Sequence, residues 1–188
     1  MLRDRLHIQL AIRAETTPDI RDYSVYAPSF SYVSNGREKQ ASFVISARFN
    51  DGHLEFWDST WEQTPSLDTP LALARSAHAK LFGAVHRLFT VTDLETNRVL
   101  AKNRQTVYSY LASDCHAETS ELETRILTNL PSRSPTTLRE LACLAGESQA
   151  RTNLAAFRLV VAGRVVCSLE DQLISPEWQV RRGKNATA

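Results

Sequence analysis

Ser42-Phe-Val-Ile-Ser-Ala-Arg48-Phe-Asn50-Asp-Gly52-His53-Leu-Glu-Phe-Trp-Asp58 is the stretch on which the fold turns. Two β-prone runs flank an Asn-Asp-Gly turn, the chemistry of a β-hairpin. Side chains alternate between the two faces of a strand. Phe43, Ile45 and Ala47 therefore share a face of the first strand, and Leu54 and Phe56 share a face of the second. His53, Glu55 and Trp57 fall on the second strand's other face.

Upstream, Asp4 to Ile12 fits either period. Leu6, Ile8, Leu10 and Ile12 alternate as in a strand, whereas Leu6, Leu10 and Ala14 suit a helix. Thr16-Thr-Pro-Asp19 ends the segment. Tyr23 to Tyr26 is short and β-prone, and Ser29 to Val33 is a clearer strand after Pro28. Asn35-Gly36 then signals a hairpin leading into the strand that contains Ser42.

Downstream, Thr69-Pro70 reads as an N-cap with proline at the first helical position, and Gly83 as the stop. The spacing predicts a buried stripe of Leu73, Ala77 and Leu81. His86 to Thr92 is the next strand, and strand–helix–strand order predicts that it joins the sheet parallel to its predecessor. Thr92-x-x-Glu95 reads as a capping box. Asn103 reads as the cap of a helix burying Val107, Tyr108 and Leu111, so a first domain is expected over residues 1–113.

A second domain is expected over 117–180, mostly helical. Ser120-x-x-Glu123 and Thr137-x-x-Glu140 read as capping boxes, and Leu122, Ile126, Leu127 and Leu130 form an apolar face. Ser148 caps a further helix that buries Leu154, Phe157 and Val161 before Gly163. Strands are expected at Val165 to Leu169 and Leu173 to Ser175, with residues 181–188 a flexible tail. Three helices and a two-stranded wing make a winged helix.

Composition narrows the function. The 188 residues are 43% hydrophobic and 23% charged with net charge +1, so any basic surface is local. Cys115, Cys143 and Cys167 form no C-x-x-C, which argues against a disulfide framework or zinc site. No apolar run approaches membrane-spanning length and no signal-peptide core follows Met1, so a cytoplasmic protein is expected. His53-x-Glu55 lacks the later Pro-Cys-x-x-Cys of a zinc deaminase, and His78 and His86 read as histidines at the edge of a core. Cys115-His116 has no third member for a triad.

Asp4-Arg5, Pro28, the hairpin from Tyr32 to Trp57, Leu88-Phe-Thr-Val-Thr-Asp93, Val99-Leu100, Asn103, Thr137-Leu-Arg-Glu-Leu141 and Ala162-Gly-Arg164 occur in an order that resembles the TnsA-type endonuclease subunit of heteromeric transposases. The resemblance implies an α/β fold: a restriction-endonuclease-like mixed sheet with flanking helices, then a C-terminal winged-helix domain. It also favours the helical reading of the first segment. Its chemistry needs carboxylates holding Mg²⁺ and a lysine near the attacking water. By this resemblance Asp4 is the helix acid and Glu55 the strand acid, while Ser42 and Trp57 stand where an aspartate and the lysine belong. The expectation is a DNA-associated transposition protein impaired in strand cleavage, with DNA, a DDE-type transposase and an AAA+ regulator as implied partners and no cofactor.

Two alternatives remain. One is an active Mg²⁺-dependent endonuclease with ligands relocated to Asp51 or Asp58 and with Lys80 replacing the lysine; the other is a winged-helix regulator or scaffold. For DNA contact the candidates are Gln149, Arg151, Thr152, Asn153 and Arg158 on the recognition helix, with Arg181, Arg182 and Lys184 behind. The same residues read equally as the solvated face of an amphipathic helix, and winged helices also dock proteins.

Overall fold

Asp4 settles the ambiguous first segment. Its carboxylate accepts the His7 backbone N–H at 3.0 Å and opens helix α1, Arg5–Glu15, whose buried face is Leu6, Leu10, Ala11 and Ala14. That spacing is helical, and the cap satisfies a donor that the first turn leaves free. The computed structural model describes residues 4–131 and 134–183 and divides into two units between Thr96 and Asn97.

In the first unit, α1 is followed by β1 (Ile20–Val25), β2 (Ser29–Ser34), β3 (Arg37–Ser42), β4 (Ile45–Phe49), β5 (Leu54–Thr60), α2 (Pro70–Leu81), β6 (Val85–Thr90) and α3 (Val91–Glu95). The main sheet has the order β1-β4-β5-β6, with β6 parallel to β5 and the other pairs antiparallel. The parallel crossover is as the sequence order requires. β2 and β3 form a separate hairpin around Asn35 and Gly36, both at positive φ as a two-residue primed turn demands.

The opening stretch differs from its expected form. Ser42 closes β3 opposite Ser29, and β4 begins only at Ile45. Phe43 stacks on Phe56 at 4.5 Å in a cluster with Phe30 and Ala79, whereas Ile45 and Ala47 pack with Leu10, Ala11 and Trp57. Phe43 and Ile45 therefore do not share a face. Val44 and Ile45 enter the same cluster, so the period-2 alternation slips between Phe43 and Ile45. The ladder stays satisfied through the slip, because Val44 donates to the Trp57 carbonyl and accepts from Tyr26 N–H.

Helix α2 is rotated from its expected setting. Leu73 is 56% exposed and Leu81 81% exposed, and Ala77 is exposed too; the buried residue is Ala79, with Leu71 and Ala74 packed beside it. Polar contacts set this rotation. Arg75 reaches a buried carboxylate on β5, and His78 stacks on Phe30 at 4.7 Å. The capping box after β6 is Thr90 with Asp93, two residues before the expected pair.

The second unit contains α4 (Arg98–Ser113), α5 (Ser120–Asn129), β7 (Thr136–Thr137), α6 (Leu138–Ala145), α7 (Gln149–Val161), β8 (Val165–Cys167) and β9 (Gln179–Arg182). Its antiparallel sheet has the order β7-β9-β8. Leu122, Ile126, Leu130, Leu138, Leu141, Phe157, Trp178 and Val180 form the core. α4 belongs to this core through Val107 and the Tyr110–Phe157 ring contact, so the boundary lies before α4 and not near Ser113.

Several caps shift by a few residues. α4 is capped by Asn97, while Asn103 is buried inside it. Asn103 donates to the Leu169 and Gln172 carbonyls and accepts from Ile174 N–H, which holds the segment between β8 and β9 in place. Leu173 to Ser175 is accordingly not a strand; the second strand is β9. α5 begins after Thr119, whose hydroxyl donates to Glu123 at 2.6 Å. The Thr137 box, the Ser148 cap and the left-handed Gly146 stop are as expected. Val161 is half-buried.

The expected flexible tail starts too early. Arg181 and Arg182 lie in β9, and Gly183 N–H bonds to the Arg164 carbonyl. A Cβ on Gly183 would fall 2.5 Å from the Gly163 carbonyl oxygen, so glycine is required where the two chains cross. Lys184 lies outside the described residues. Among the described residues no helix is long and apolar enough to cross a membrane.

Candidate functional site

β5 carries acids on both faces of the sheet. Glu55 and Trp57 point toward α1, and Asp58, of the opposite parity, points toward α2; all three are buried. A carboxylate buried this deeply requires a counter-charge or hydrogen bonds.

Glu55 has both. Arg87, paired in register with Trp57 across the parallel β5–β6 ladder, donates Nε to Glu55 Oε1 at 2.7 Å. Trp57 donates its indole Nε1 to Glu55 Oε2 at 2.7 Å. The residue in the lysine's expected place thus supplies a hydrogen bond to the acid two positions away. His53 Nε2 stands 3.5 Å from Oε1, and the Arg13 guanidinium lies 4.7 Å from the Phe89 ring centre. Burial and the neighbouring Arg87 charge lower the Arg13 pKa, with Glu55 opposing them.

Asp58 has partners of its own, one arginine and one histidine. Arg75 Nη2 lies 2.8 Å from Oδ1 and His86 Nε2 lies 3.0 Å from Oδ2. The arginine contact has ion-pair distance but not hydrogen-bond angles, so Oδ1 counts as electrostatically paired without a directed donor. His86 also meets the Phe43 ring edge at 5.5 Å.

The expected acids do not converge. Asp4 caps the N-terminus of α1 and faces His7, whose Nδ1 meets the Tyr26 hydroxyl at 3.1 Å. Glu55 interacts with Arg13 near the other end of that helix, about 13 Å away at 1.5 Å per residue. Ser42 lies away from Glu55, on the wall of a cavity of about 370 Å³ shared with His7, Tyr26, Ser29, Gln40, Ala41, Val44, Ser59 and Arg75.

The relocated candidates fare no better as ligands. Asp51 stays in the turn, its pKa lowered by hydrogen bonds from His53. Lys80 is an exposed residue of α2. Among the described residues no group of three or more His, Cys, Asp or Glu side chains is placed to hold a metal ion. Mg²⁺ demands free carboxylate oxygens in octahedral array. Glu55 and Asp58 already serve arginines and Ser42 is neutral, so the donor set does not fit that ion.

On α7 the candidates divide. Thr152 is fully buried and carries no surface. Gln149 donates to the Leu138 carbonyl and to Asn153, which donates in turn to the Tyr110 hydroxyl. Arg158 spans the Ala117 and Asp114 carbonyls and the Thr119 hydroxyl, closing the connection between α4 and α5. Arg151 is exposed beside Glu147, at 3.2 Å, and Arg181 and Arg182 are exposed on β9.

Sequence reasoning missed Arg13, Arg75 and Arg87. The parallel register of β6 brings Arg87, and the rotation of α2 brings Arg75, to the β5 acids, while Arg13 reaches that side from α1; none of these leaves a local motif. No protein-family model matches the chain, and no curated protein matches it.

Proposed function

We propose that this chain is a DNA-associated protein of the transposition type, built on a restriction-endonuclease-like first domain that serves as a scaffold and a winged-helix second domain. The order β1-β4-β5-β6, with α1 and α2 on the two sheet faces and a parallel last strand, supports the first assignment. Helices α5 to α7 with the small antiparallel sheet support the second. A DDE-type transposase and an AAA+ regulator are the partners such a scaffold would serve.

One observation carries the scaffold reading. Both buried carboxylates of β5 are matched by arginines, Glu55 by Arg87 at 2.7 Å and Asp58 by Arg75 at 2.8 Å. Acids held this way serve the first unit's own arginines and are not available to hold the Mg²⁺ that would polarise a phosphodiester.

DNA contact, on this reading, is to the phosphate backbone. The amides of Gln149 and Asn153 already donate within the protein, and a base edge would have to displace those bonds. Arg151, Arg181 and Arg182 remain as cations at the surface. Three phosphate contacts give a slope of roughly −2.7 in log affinity against log salt on duplex DNA. A gel-shift series over salt tests this: Arg181→Ala with Arg182→Ala should flatten the slope by about two units, equally for all sequences. Binding with no salt dependence, or none at low salt, defeats the DNA reading.

A further inference from the structure

The cavity beside Ser42 is left unused by the proposed function and is lined by polar residues, two of which carry a covered atom without a hydrogen-bond partner among the described residues. Its wall carries one guanidinium, Arg75, and the hydroxyls of Ser29, Ser42 and Ser59, with the His7–Tyr26 pair alongside and no carboxylate. Two of these residues are under-satisfied: among the described residues, Arg75 Nε and Ser59 Oγ are buried with no hydrogen-bond partner. An unmet buried donor on a cation is costly, and such groups in a folded protein call for a water, an ion or a ligand. The volume of about 370 Å³ lies at the lower end of the roughly 300–1,000 Å³ of small-molecule sites.

We infer that this cavity is a binding site for a phosphoryl oxyanion, held by Arg75 and the hydroxyls of Ser42 and Ser59 without a metal ion. A guanidinium with several hydroxyl donors matches an oxyanion, and a tetrahedral phosphoryl group presents acceptors to donors on more than one side. Ser59 reaches the guest by turning its hydroxyl rotor, since the residue lines the cavity while its oxygen is covered. Asp58 anchors Arg75 and offsets part of its charge, so the site is weak, with a dissociation constant on the order of 1 mM. The inference does not depend on DNA binding by the second unit.

The experiment is a titration of the full chain with inorganic phosphate, followed by ³¹P NMR at ionic strength held constant with sodium chloride. Saturable binding is expected, weakened roughly tenfold by Ser59→Ala and by Ser42→Ala, each checked for native circular dichroism. Arg139→Ala, which breaks a surface pair with Glu177, should leave it unchanged. A nucleoside 5′-monophosphate and its unphosphorylated nucleoside identify the source: equal affinity for phosphate and nucleotide indicates free phosphate, and tighter nucleotide binding indicates a nucleotide. No saturable phosphate binding means a cavity that holds only water, and overturns the inference. So does binding that survives both serine substitutions, weakens in the Arg139 variant, or is matched by the nucleoside alone.

Discussion

Replacing Arg75 with alanine takes the guanidinium away from Asp58, which is fully buried in the native fold, and leaves His86 as its remaining partner among the described residues. Two unit charges about 4 Å apart interact by roughly 4 kcal/mol at an effective dielectric of about 20. Removing one partner of a buried pair costs about 3–5 kcal/mol, because the other charge stays desolvated. His86 keeps its contact with Oδ2 at 3.0 Å, so the lower end, about 3 kcal/mol, is expected. In a domain of this size that lowers Tm by roughly 12–24 °C. Urea unfolding read by tryptophan fluorescence separates the two units, since Trp57 and Trp61 lie in the first and Trp178 in the second. The Trp57 signal should move to lower urea in Arg75→Ala while the Trp178 transition stays. Adding Asp58→Asn removes the stranded charge and should restore more than half of the loss. A change below about 1 kcal/mol, or no recovery in the double variant, would refute a structural role for this ion pair.

Two further outcomes concern the second unit. Burial pushes the Cys167 thiol up to about 12, so it stays protonated through the range in which ordinary thiols ionise, whereas Cys115 and Cys143 are exposed. Iodoacetamide at pH 8.5 should modify two cysteines quickly and the third only after unfolding, read by mass spectrometry. Unfolded Cys167 ionises near pH 8.5 while the folded thiol does not, so its contribution to stability is complete below that pH and declines above it. Asn103→Ala removes three hydrogen bonds to the segment between β8 and β9. It should cost about 2–3 kcal/mol and expose that segment to proteolysis, and unchanged protection would contradict the latch.

How far the sequence reveals the fold depends on how local each signal is. The second unit's helices were legible because Thr137, Gly146 and Ser148 act through contacts a few residues away. Asn103 was misread for the same reason: asparagine is a common cap, and only the distant 169–174 segment makes it a buried anchor. Thr90 and Thr92 both precede an acid by three positions, and the choice between them rests on where β6 stops pairing with β5. The α2 stripe failed because that helix turns Arg75 and His78 inward beside Leu71, Ala74 and Ala79, with Arg75 paired to Asp58 beneath it. At the candidate site, alternation correctly grouped Glu55 with Trp57. It said nothing of the arginines that reach those faces from α1, α2 and β6, since charge pairing across elements has no sequence period.

The scaffold reading rests on Glu55 and Asp58 being structural acids. Its most direct test is nicking of supercoiled plasmid by the full chain with Mg²⁺ or Mn²⁺, alongside Glu55→Gln and Asp58→Asn variants shown to be folded. The account predicts no nicking above the background of the buffer and no difference among the three proteins. Metal-dependent nicking that disappears in either variant would contradict it.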